Sequence, residues 1–101
     1  MYQNKNLVMK EFKLYLIEKI SSTLSSLSFP ILEFTLTQPK NESFGDLSSN
    51  LPLLIGSLEK KEPLDIAKMI SESLKAKDLK NVIDINVTPP GFLNFKISSI
   101  F

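Results

Sequence analysis

Apolar residues recur at four-residue intervals from Val8 through Phe12, Leu16, Ile20 and Leu24, and Leu27 closes the stripe. That spacing keeps one face of a helix apolar and predicts an amphipathic helix over residues 5–28, stopped by Phe29-Pro30. The period then changes. In ILEFTLT, residues 31–37, Leu32, Phe34 and Leu36 alternate with Glu33, Thr35 and Thr37, which predicts a strand with the first set inward and the second outward. A polar loop through Pro39, Lys40, Asn41 and Glu42 follows, with room for a short fourth strand near 38–44. Helical spacing returns at Leu47, Leu51, Leu54, Ile55 and Leu58, opened by the capping-type residues Asp46, Ser48 and Ser49. Pro52 constrains where this helix begins. With Ser49 as its cap the proline falls in the first turn, where a missing N–H costs nothing; a start at Asp46 would lose one bond and kink the helix. A further helix is predicted from Pro63 through Ile66, Ala67, Ile70 and Leu74 to about Lys77. Two alternating runs, 82–87 and 92–98, close the chain as a hairpin. Pro90-Gly91 fits the central pair of a type II turn, proline fixing the first φ and glycine supplying the positive second.

These elements sum to an α+β fold: a small antiparallel sheet of three or four strands, from 31–37, 82–87 and 92–98, packed by about three helices. With 101 residues, 43% of them hydrophobic, and no repeat or linker, the chain fits one domain spanning residues 1–101. Charge narrows the chemistry. Twelve lysines and no arginine face eleven acidic residues for a net charge of +1, so no strong field announces a nucleic-acid partner. Most of the lysines around the third helix, Lys60, Lys61, Lys68, Lys75, Lys77 and Lys80, interleave with Glu59, Glu62, Glu72 and Asp78 and read as a solvated face. The absence of histidine and cysteine removes disulfides, thiolate metal sites and the common zinc ligands, and neither metal nor cofactor binding is expected of these residues. No apolar span of membrane length and no signal-peptide pattern occurs, so a cytoplasmic protein without membrane partners is expected.

The closing hairpin carries the most suggestive chemistry. Leu93, Phe95 and Ile97 share one face of its second run, while Phe92, Asn94 and Lys96 share the other. An aromatic ring stacks on a nucleobase, an amide hydrogen-bonds a base edge in two directions, and an ammonium sits against phosphate. Such a row suits single-stranded RNA. Its bland reading is that Phe92 and Asn94 merely cover a sheet edge or pack under the first helix.

The pairing of Phe44-Gly45-Asp46 and Asn50 with the later Pro90-Gly91-Phe92, Asn94 and Phe95 resembles the N-terminal additional domain of arginyl-tRNA synthetases, and the resemblance spans the chain in order. It implies a domain that precedes the catalytic core and touches the elbow of tRNA(Arg), reading a D-loop base. On that reading Phe92 stacks on the base, Asn94 hydrogen-bonds its edge, Lys96 approaches phosphate, and Pro90 and Gly91 shape the turn. The parent enzyme would ligate arginine to tRNA(Arg) with ATP and Mg²⁺, using domains absent from this chain; no catalytic residue is expected here, and no DNA partner. The chain is too short for a synthetase, and its last residues, KISSIF, directly follow a strand, as expected at a boundary within a longer protein. Pro52 departs from the small apolar residue usual in that family.

Other readings compete. Gly45 at a turn and Asp46 capping the next helix suffice to explain the Phe44-Gly45-Asp46 motif, and the same applies to Asn50, so the motif, Phe44 included, and Asn50 stay outside the expected site. The alternative function is a non-enzymatic interaction or self-association module working through an exposed sheet edge. A third reading, a small stand-alone enzyme, is poorly supported, since without histidine, cysteine, a glycine-rich phosphate loop or closely spaced paired carboxylates no obvious nucleophile or base stands out.

Overall fold

The computed structural model describes residues 5–98; the first four residues and the end of KISSIF lie outside the described residues. Helix α1, Lys5–Ser26, follows the four-residue stripe closely. Phe12, Leu16, Ile20 and Leu24 are buried, and Val8 and Leu27 are half-buried. Ser28 ends it in the left-handed region, at φ 62°. Its N–H donates to the Ser25 carbonyl at 3.1 Å and the Phe29 N–H reaches back to the Leu24 carbonyl at 2.9 Å, the paired bonds of a Schellman cap. Phe29 then enters the core beside Leu24.

The remaining elements are β1 (Leu47–Ser49), α2 (Leu51–Glu59), α3 (Pro63–Lys75), β2 (Val82–Thr88) and β3 (Phe92–Ile97). The sheet is antiparallel, in the order β1-β3-β2, so β3 is central. The α+β class expected from the sequence is therefore observed, with three helices and three strands. Helix α3 packs on α1, α2, β2 and β3, which puts it between the sheet and the first helix. Leu93, Phe95 and Ile97 of β3 meet Ile66, Ile70 and Leu74 of α3 in one core, on the face that strand parity assigned. Polar contacts add to the packing of α1: Lys77 donates to the Thr23 hydroxyl at 2.6 Å, and the Lys80 N–H donates to the Tyr15 hydroxyl at 2.9 Å.

The identity of the third strand departs from expectation. Residues 31–37 keep the predicted facing, with Leu36 buried, Leu32 and Phe34 half-buried and Glu33, Thr35 and Thr37 exposed, yet they form no strand. Only Thr37 pairs, exchanging bonds with Ser48 at 2.9 and 2.7 Å. The strand it would pair with, β1, is three residues long, so the rest of the segment has no backbone to meet. Nor does a fourth strand form near 38–44; the loop instead contains a single 3-10 turn at Glu42–Phe44.

Leu47–Ser49, expected as a helix start, is the strand that fills the place. Gly45 explains why. At φ 129° it brings the backbone against β3, where a Cβ would lie 2.9 Å from the Phe95 carbonyl oxygen, too close for any side chain. Asp46 then holds the approach from both sides: its N–H donates to the Phe95 carbonyl at 2.8 Å, and its Oδ2 accepts from the Ile97 N–H at 2.9 Å. Asp46 therefore anchors a strand and does not cap a helix. Helix α2 starts only at Leu51, which leaves Pro52 in the first turn. Asn50 occupies the N-cap position without a side-chain bond, and the Ser49 hydroxyl accepts from the Leu51 N–H at 3.1 Å.

The closing turn also differs. Thr88 pairs with Phe92, so Pro89, Pro90 and Gly91 form the turn, and the Pro89–Pro90 peptide is cis. Gly91 takes no positive φ, so the turn is not the expected type II. Space is what requires glycine at 91: a Cβ there would fall 2.5 Å from Cβ of Pro63, so the hairpin tip rests directly on the start of α3.

Candidate functional site

On the sheet face turned away from the helices, Phe92, Asn94 and Lys96 of β3 stand beside Ser48 of β1 and Asp84, Asn86 and Thr88 of β2. The loop after Thr37 folds over part of this face and leaves a groove of about 500 Å³ at the hairpin tip. Thr37, Gln38, Pro39, Lys40, Asn41 and Phe44 form its loop side. Ser48, Thr88, Pro89, Phe92 and Asn94 form its sheet side. The loop holds its shape internally: Asn41 Oδ1 accepts from the Ser43 N–H at 2.9 Å and from its hydroxyl at 2.7 Å, and the Phe44 N–H donates to the Asn41 carbonyl at 3.0 Å. These bonds present Phe44, 40% exposed, to the groove.

Phe92 is half-buried and lines the groove as the sequence suggested. Asn94 lines it too, but at 1% exposure, as part of the sheet-side wall and not as a projecting group. Its Nδ2 donates to Asn86 Oδ1 and to Thr88 Oγ1, both at 3.1 Å. A carboxamide has two N–H donors, so both are engaged within the sheet and only the carbonyl oxygen can serve a ligand. The expected two-directional reading of a base edge is thereby reduced to an acceptor. Strand parity had given the correct face; the covering loop, invisible to it, removed the exposure.

Lys96 is exposed and lines a neighbouring groove, and Gln38 lines both. Of the turn residues, Pro89 borders this groove, Pro90 is exposed at the tip, and Gly91 faces Pro63 on the opposite side. Phe44, Gln38, Lys40 and Asn41 were missed as site residues. A signal existed for Phe44, since an aromatic before Gly-Asp is more than a turn requires; the three polar residues carried none. Gly45 and Asp46, left outside the expected site, serve the β1–β3 junction, and Asp46 also lines the neighbouring groove. Among the described residues no cluster of three His, Cys, Asp or Glu side chains is placed to hold a metal ion, and no helix is long and apolar enough to cross a membrane.

A family model described as the arginyl tRNA synthetase N terminal domain matches residues 14–97. The chain belongs to that family. It is 35% identical over 103 aligned positions to an arginine–tRNA ligase of Leptospira interrogans, covering 96% of this chain and 17% of that protein. To the arginine–tRNA ligase of Listeria welshimeri it is 33% identical over 98 positions, covering 93% and 17%. The arginyl-tRNA synthetase of Thermus thermophilus shares the fold with a TM-score of 0.70 at 21% identity, over 84% of this chain and 14% of that one. The chain spans 10–17% of the length of the curated relatives it matches. Membership bears out the resemblance drawn from the Phe-Gly-Asp and Pro-Gly-Phe signatures. In this member the Gly-Asp pair builds the β1–β3 junction and Phe44 borders the groove.

Proposed function

We propose that this chain is the N-terminal tRNA-recognition domain of an arginyl-tRNA synthetase, and that the groove at the hairpin tip receives a D-loop base at the elbow of tRNA(Arg). One observation carries the reading. Phe44 and Phe92, half a chain apart in sequence, border one groove with the Asn94 amide, so that apolar rings and a hydrogen-bond acceptor meet where a planar base can enter. Stacking on an aromatic contributes about 1–3 kcal/mol per base, and the Asn94 carbonyl then favours a base edge that presents an N–H. The domain contributes position and identity. The reaction itself, ligation of arginine to tRNA(Arg) with ATP and Mg²⁺ in the cytoplasm, belongs to the remaining domains of the full-length enzyme. The sequence has no glycine-rich phosphate loop, and among the described residues no cluster of three His, Cys, Asp or Glu side chains is placed to hold a metal ion.

The test is Phe92→Ala in the full-length enzyme. Loss of one stacking partner lowers kcat/KM for tRNA(Arg) about tenfold to a hundredfold, in line with about 1.4–3 kcal/mol. Unchanged tRNA kinetics in a folded variant would overturn the base-reading role.

A second reading rests on a different segment. Residues 31–36 form neither helix nor strand and make no backbone hydrogen bond among the described residues, with Ile31 exposed, so their unpaired backbone offers an edge to which another strand can add. Concentration-dependent sedimentation of the protein, with no change on adding tRNA, would favour this interaction module.

A further inference from the structure

Beside the groove at the hairpin tip lies a second one of about 480 Å³, between α1 and the end of the sheet. Its apolar lining comes from Met9 of α1, Leu47 of β1, Ile83 of β2 and Ile97 of β3. Lys13, one helical turn after Met9, and Lys96 add two ammoniums to it. Gln38 belongs to both grooves, so they adjoin along the loop that covers the sheet.

We propose that this second groove carries the sugar-phosphate backbone of the same RNA strand whose base enters the first, with Lys13 and Lys96 as its phosphate contacts. The inference rests on the base-reading proposal and extends it to a strand path. Lys96 stands two residues beyond Asn94 on β3, a step of about 6.6 Å, about the reach of one nucleotide in an extended strand. Charge complementarity selects the occupant. Asp46, the carboxylate in this groove, already accepts from the Ile97 N–H. Asp84 is the register partner of Lys96 on β2, but no ion pair joins them among the described residues. The lining thus sets two ammoniums against the one Asp46 carboxylate, and among the described residues neither lysine is held in an ion pair, which leaves a net positive groove for an anion, while Met9 and Ile83 offer apolar surface to ribose or base. Without arginine the chain has no bidentate phosphate fork, so two lysines converging on one groove are what it can offer a backbone.

The salt dependence of binding tests the path. The full-length protein is titrated with a tRNA(Arg) transcript at several salt concentrations, as wild type and as Lys13→Gln, Lys96→Gln, Lys68→Gln and Phe92→Ala. Each phosphate contact contributes about 0.7–0.9 to the slope of log K against log salt. Lys13→Gln and Lys96→Gln are each expected to reduce the slope by that amount, and Lys68→Gln, on the exposed face of α3, to leave it unchanged. Phe92→Ala should weaken binding at every salt concentration with the slope intact. Wild-type slopes for both groove variants, or an equal loss from Lys68→Gln, overturn the backbone path while the base reading survives on Phe92. If Phe92→Ala also binds as wild type does, the base reading fails and the path fails with it.

Discussion

The Asn94 carboxamide donates both N–H groups inside the sheet, to Asn86 Oδ1 and Thr88 Oγ1. Alanine at this position removes both donors and leaves two acceptors with nothing to accept, at a cost of about 1–3 kcal/mol. Asn94→Ala is therefore expected to lower the midpoint of urea unfolding measurably, in addition to any effect on tRNA kinetics; an unchanged midpoint would show that the network adds no stability. The double consequence makes Phe92 the cleaner probe of base reading, since its ring lies on the sheet face away from the core. From sequence, alternation placed Asn94 opposite Leu93 and Phe95 and that placement holds, because period-2 geometry is local. Its depth was not legible. Depth depends on a loop more than fifty positions earlier folding over the sheet, and no local pattern encodes that contact.

At the scale of elements, the long helices were legible because their apolar stripes run for three or more turns and end in recognisable stops. Pro63 opens α3 where expected, and Phe29-Pro30 follows the end of α1. The short strand was not. Leu47–Ser49 is three residues long and lies inside a helical spacing that continues into α2, so periodicity assigned it to the helix. Its strand character comes from Gly45 and Asp46 docking on β3, a tertiary effect that overrides local pattern. Conversely, ILEFTLT has the alternation of a strand but lacks a neighbour of sufficient length, and alternation without a partner yields no strand beyond the Thr37 bridge. The end of α1 supports a sharper test. Ser28 occupies the left-handed C′ position at φ 62°, where a Cβ is disfavoured and glycine is preferred. Ser28→Gly keeps both capping bonds and relieves that conformation, and is expected to raise stability to urea by about 0.5–1 kcal/mol. A destabilised variant would mean that the serine side chain makes a contribution larger than its backbone cost.

For the whole molecule, the groove exists only because two distant segments converge on the open face of the sheet. Phe92 arrives by the hairpin, and Phe44 by a loop held in shape by Asn41 and Ser43. Family resemblance pointed to the first of these and treated the second as part of a turn, since a signature read as a string does not say which of its residues reach a common surface. If both rings border one binding site for one base, their contributions to tRNA binding cannot be independent. Removing either ring lets the base shift towards the other, so the second removal acts on a complex already altered. A double-mutant cycle in the full-length enzyme measures this directly, with Phe44→Ala, Phe92→Ala and the pair compared by kcat/KM for tRNA(Arg). Residues sharing one ligand in this way are expected to show an interaction energy of about 0.5–1.5 kcal/mol, a departure from multiplicative rate losses of about two- to twelvefold. Rings acting on separate parts of the tRNA would give losses that multiply. That outcome would leave Phe92 as a base contact and assign Phe44 to the loop, and a strictly multiplicative cycle would thus remove the two-ring site while sparing the domain's place in tRNA recognition.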